Sequence, residues 1–69
     1  MDADIKSIRD RIAQIEKVKD DFERAHSEED SLHQDVLRAI SRGRDPAKMR
    51  QLAREALKST EIDFFRFCA

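Results

Sequence analysis

Between residues 4 and 41 the chain holds neither glycine nor proline, and its only glycine and only proline, Gly43 and Pro46, stand three positions apart. This long uninterrupted run followed by one concentrated stop limits the fold more than any other feature. Most residues of the run are good helix formers. Gly43 predicts a left-handed residue closing a helix whose last turn carries Arg38 and Arg42, cations suited to its negative end. Asp45 then reads as an N-cap and Pro46 as the first helical position, where a missing amide does no harm. One helix therefore ends near Arg42 and another begins at Pro46.

Within the run, Ile5, Ile8, Ile12, Ile15, Val18 and Phe22 recur at spacings of three and four, the signature of an apolar helix face. They place helix 1 over about 4–25, with Asp2 or Asp4 near its N-cap and residues 1–3 frayed. Whether helix 2 continues the same rod is left open. Ser27 followed by Asp30 forms a variant capping box, with Glu28 and Glu29 near the positive end of a new helix. That favours a break near His26 and a second helix over about 27–42, burying Leu32, Val36, Leu37, Ala39 and Ile40. Yet a heptad register begun at Ile5 persists across it: Ile12, Lys19, His26, His33 and Ile40 follow at position a, and Ile8, Ile15, Phe22, Glu29 and Val36 at d. Val18, Ala25, Leu32 and Ala39 widen the stripe. Isoleucine at both a and d favours three or four helices around one core, from this chain or from copies of it. Helix 3, about 46–59, presents Met49, Leu52, Ala53, Ala56 and Leu57. The expected fold is all-α: one domain over 1–69, a small bundle of three helices, with the aromatic segment 61–69 as a candidate short fourth.

A chain of 69 residues buries a modest fraction of its surface, which makes partners expected. One cysteine closes no internal disulfide, and no window approaches a membrane span, so a soluble protein of the reducing cytoplasm is expected. Charge divides unevenly: residues 1–35 carry eleven acids against six Lys and Arg, residues 36–69 four against eight, within a net charge of −1. An acidic helix packed on a basic one accounts for this, and head-to-tail association or an anionic ligand would use the same asymmetry. A chain with one glycine has no glycine-rich phosphate loop, and no nucleophile has a recognisable base beside it, so neither an enzyme nor a resident cofactor is expected.

Three groups of residues stand out as candidate sites. His26, Asp30 and His33 fall at i, i+4 and i+7, and two imidazoles with a carboxylate form a facial ligand set for zinc or ferrous iron. The competing reading makes His26 a junction residue and His33 the edge of the apolar face, and histidines near an association seam would also respond to pH. Arg50, Arg54 and Lys58 line one flank of helix 3 and are the candidate anion or nucleic-acid contacts, with helices 2 and 3 as a helix-turn-helix. A basic helix beside an acidic one explains the same residues. Finally, the closing EIDFFRFCA holds Phe64, Phe65 and Phe67, an end too apolar to stand in water. It either caps the core or docks on another chain, and Cys68 within it reads as a small hydrophobe.

Residues 26–41, HSEEDSLHQDVLRAIS, together with the closing FFRFCA, resemble short uncharacterised helical proteins of actinobacteria and their phages. The resemblance covers residues 26–69 and implies a shared fold. It supplies no activity, but a phage or mobile-element source would imply a protein that binds and modulates a host protein. The function read from the sequence is thus a small helical protein-interaction module that self-associates through Ile5, Ile8, Ile12, Ile15 and Phe22 with Phe64, Phe65 and Phe67, and that binds another protein. Nucleic-acid binding and metal binding are the alternatives.

Overall fold

The glycine-free run divides in two. In the computed structural model, which describes residues 4–66, α1 spans Ile5–Lys17, α2 Phe22–Arg42 and α3 Pro46–Leu57, and a 3₁₀ turn over Lys58–Glu61 leads into an extended tail. Residues 1–3 and the tail members Phe67 and Cys68 lie outside the described residues. Each helix packs against the other two, an all-α three-helix bundle with no strand among the described residues. None of its helices is long and apolar enough to cross a membrane.

The α1–α2 junction is a turn over residues 18–21, not the expected break at His26 and Ser27. The Val18 amide closes α1 by donating to the Gln14 and Ile15 carbonyls, and Asp21 opens α2 by accepting the Arg24 amide on Oδ1 at 3.3 Å. Ser27 and Asp21 are comparable caps by residue type. What separates them is the apolar stripe. Lys19, Asp20 and Asp21 interrupt it, so ending the helix there keeps three charged side chains exposed and lets α1 fold back on α2. The d positions Ile8, Ile15, Glu29 and Val36 stay buried on both sides of the turn, but in α2 they are joined by Ala25 and Leu32 rather than by the a positions His26 and His33. In α2 the buried line is Ala25, Glu29, Leu32 and Val36, one helical face that excludes His26 and His33 from its centre.

Asp4 is the N-cap of α1, its Oδ1 accepting the Ser7 amide at 2.7 Å. The start of α3 follows the sequence reading: Asp45 Oδ1 accepts the Ala47 and Lys48 amides, with Pro46 at the first turn. Gly43, however, is extended (φ −79°, ψ 154°) rather than left-handed. Its lack of a side chain matters for space, because a Cβ there would collide with the Met49 sulfur.

Ile8 and Ile15 from α1, Ala25, Leu32 and Val36 from α2, Leu52 and Ala56 from α3, and Ile62 beyond the 3₁₀ turn form the buried core. Ile5, Ile12, Val18, Ile40, Met49 and Phe64 pack around it. Of the helix 1 isoleucines expected at a self-association surface, Ile8 and Ile15 are spent within one chain, with no exposed area, whereas Ile5 and Ile12 are only partly buried. Two leucines expected inside are outside instead, Leu37 at 65% and Leu57 at 60% exposure. In a three-helix bundle each helix has only two neighbours, so an apolar stripe wider than the facing groove spills past its edge.

Replacing Asp21 with alanine is expected to cost about 1 kcal/mol of unfolding free energy in urea, whereas Ser27→Ala should change it by less than about 0.5 kcal/mol. The opposite ranking would place the junction at Ser27.

Candidate functional site

The exposed leucines flank a groove. Small side chains at Ala53 and Ala56 leave a crevice of about 210 Å³ between α2 and α3, walled by His33, Val36, Leu37 and Leu57. Alternation of small and large residues on α3 creates the recess: alanine at 53 and 56 lets the helices approach, while Leu57 stands up at the rim. Single exposed hydrophobics are ordinary on a protein surface; two leucines bordering one apolar recess are not.

His33 connects this groove to a buried polar network. Its Nε2 lies 2.9 Å from Ser59 Oγ, and Ser59 is fully buried. The Ser59 side chain also lies beside the Glu29 carboxylate, and which partner donates in the His33 contact follows the imidazole tautomer. Glu29, 5% exposed, is held by Arg66, whose Nε donates to Oε1 at 2.9 Å and Nη2 to Oε2 at 3.3 Å. The same Nη2 donates to the Ser59 and Ile62 carbonyls at 2.9 and 2.8 Å, and the guanidinium carbon sits 3.9 Å from the Phe64 ring centroid. A serine bonded to an imidazole is also the geometry of an activated nucleophile. Here the hydroxyl has no exposed surface, and the contact ties α2 to the 3₁₀ turn.

The same network fixes the tail. Phe64 packs on the core, and Phe65 meets Phe22 edge to face with centroids 5.4 Å apart. Of the two courses the sequence left to the aromatic end, its described part folds back on its own chain. Burial pushes the Glu29 carboxyl up, but the Arg66 and Ser59 hydrogen bonds and the Arg66 charge together hold it below the ordinary carboxylate range. Two ion pairs brace the helices elsewhere. Arg11 Nη1 meets Asp35 at 2.7 Å, and Arg9 Nε meets Glu55 at 2.8 Å. The Asp35 carboxyl is lowered by the Arg11 hydrogen bond, and that of Glu55 by its bonds to Arg9 and then Lys58.

The expected metal set is not assembled. His26 Nδ1 lies 3.5 Å from Asp30, but His33 is turned to Ser59, and no group of three candidate ligands occurs among the described residues. The three residues do share one helix; buried Glu29 and Ser59 draw His33 toward the core, away from the exposed Asp30. Of the basic flank, Arg50 and Arg54 are exposed, whereas Lys58 is bound to Glu55 at 3.1 Å. Arg9, which sequence reasoning did not single out, joins Arg54 and Lys58 around a crevice that Glu55 partly neutralises. Glu29 with Arg66 was also missed as a pair. Its signals were a lone acid on an apolar seam and a lone arginine inside an aromatic tail.

No family model, curated protein or solved structure matches this chain.

Replacing Arg66 with alanine leaves a buried carboxylate short of its partner and is expected to lower stability by about 2 kcal/mol, the guanidinium being partly exposed. Lowered carboxyl values mean that the ionised forms stabilise the fold. That contribution is complete above the unfolded carboxylate range and is lost as pH falls through the lowered values. Urea unfolding of the wild type should therefore weaken below about pH 5, with a shallower acid slope in Arg66→Ala. An identical slope in both would remove Glu29 from the acid response.

Proposed function

We propose that this chain is a helical protein-interaction module whose contact surface is the α2–α3 groove, and that the groove receives the apolar face of a helix from another polypeptide. The observation that supports this reading is the pair Leu37 and Leu57, 65% and 60% exposed, on either side of an alanine-floored recess. A helix laid in an apolar groove is a recurring mode of recognition, read through side chains at spacings of three and four. Of the helix 1 isoleucines Ile8 and Ile15 are enclosed by their own bundle; Phe22 and Phe65 are also exposed, at 40% and 58%, but Leu37 and Leu57 are the exposed pair that borders the recess.

Magnitudes set the strength of such a contact. Burying the part of Leu37 and Leu57 that is still exposed gives about 2–4 kcal/mol. Micromolar affinity needs about 8 kcal/mol net of the cost of association. The rim around the groove must contribute, and binding is reversible and weak to moderate.

Panning a display library of amphipathic helical peptides against the protein tests this reading. Enriched peptides are expected to carry apolar residues at helical spacing and to bind a Leu37→Gln/Leu57→Gln variant at least about tenfold more weakly. Both positions are exposed, so the variant should keep its helical circular dichroism. Peptides that bind wild type and variant equally would contradict the assignment of the groove.

A further inference from the structure

The face that carries the groove is complementary to itself. We infer that its occupant is a second copy of this chain, packed antiparallel across a two-fold axis, so that Leu37 and Leu57 of each copy enter the alanine-floored recess of the other. This rests on the groove being the contact surface and adds the identity of the partner.

A two-fold contact uses the same patch on both molecules, so that patch must hold both the projection and the hole it fills. The α2–α3 face holds both: two standing leucines, and the recess at Ala53 and Ala56. Charge supplies the second requirement. α2 and α3 run antiparallel, as the short connection at 43–45 and the pairing of His33 with Ser59 require. One end of the groove therefore has exposed Asp30, one turn before His33, and exposed Glu61, two residues beyond Ser59. The other end has exposed Arg50, one turn before Ala53, and exposed Arg44 just past α2. Asp30 has a contact of its own, with His26 at 3.5 Å.

Twelve residues of helical rise separate Asp30 from Arg42 at the end of α2, roughly 18 Å, about twice the screening length at physiological salt, and Arg44 lies beyond it. The two ends thus act as separate charges. An axis perpendicular to the helices sets the acidic end of each copy on the basic end of the other, twice. An axis along the helices would set like on like at both ends. Charge selects the antiparallel dimer.

Area sets its strength. A standard interface takes about 800 Å² from each partner. That is roughly a sixth of the 5046 Å² surface of this chain, nearly a whole face of a body 37 × 23 × 19 Å in extent. The dimer is expected to be concentration-dependent.

Sedimentation velocity from about 1 to 300 µM, a range that brackets the affinity expected of a marginal interface, tests the inference. Wild type should pass from monomer to dimer, more weakly as salt rises. Arg44→Glu/Arg50→Glu and Asp30→Arg/Glu61→Arg should each dimerise at least about tenfold more weakly alone, and mixing the two should restore a dimer. Wild type that stays monomeric throughout overturns the inference, as does a dimer unaffected by either pair of reversals or by Leu37→Gln. In those cases peptides that still bind through Leu37 and Leu57 would preserve the groove as a binding surface for another protein.

Discussion

A carboxylate inside a protein this small must be answered by a positive charge, and here the answer comes from the far end of the chain. Glu29, at the middle of the buried line of α2, is met by Arg66 from the tail, 37 residues away in sequence. Leaving it short of that partner would cost about 2 kcal/mol. A domain of this length has only about 3–5 kcal/mol of total stability from its core, so the pairing supplies a large share of it. By holding Arg66, Glu29 brings Phe64 onto the core and Phe65 onto Phe22. Through Ser59 it also fixes His33, one wall of the groove. The apolar surface and the charged network are thus two sides of one arrangement.

What the tail covers decides what is left uncovered. Ile62 is buried in the core and Phe64 packs against it, and the 3₁₀ turn places the buried Ser59 against His33 of α2. Neither reaches Leu37 or Leu57, which remain on the outer rim of the α2–α3 seam. The same short connection that forces α3 against α2 gives this seam its opposed charges: Arg44 and Arg50 stand at the connection and Asp30 and Glu61 at the far end, while Asp45 is held at the α3 N-terminus and Lys58 on Glu55.

Local signals were the legible ones. Asp45 and Pro46 begin α3 because a cap and a fixed φ act within one turn, and the isoleucine spacing of α1 reports one helix face directly. The α1–α2 turn was misplaced because Asp21 and Ser27 are equivalent caps, and only the packing of α1 on α2 separates them. The heptad register located the buried d positions Ile8, Ile15, Glu29 and Val36 but did not mark the turn between them. Leu37 and Leu57 have the spacing of core residues, and periodicity does not record how wide a face the neighbouring helices can cover. The polar seam positions Glu29 and His33 were visible as a layer; their partners Ser59 and Arg66, distant in sequence, were not. That distance hid the contacts that hold both residues.

The account turns on which aliphatic side chains one molecule encloses and which it offers. Methyl relaxation by a soluble paramagnetic agent measures this directly, on protein labelled at isoleucine and leucine methyls and followed across concentration. At the lowest concentration the Ile8 and Ile15 methyls should be protected and those of Leu37 and Leu57 strongly relaxed, with the leucines alone gaining protection as concentration rises. Isoleucine methyls that become protected only at high concentration, or leucines already shielded in the monomer, would contradict it.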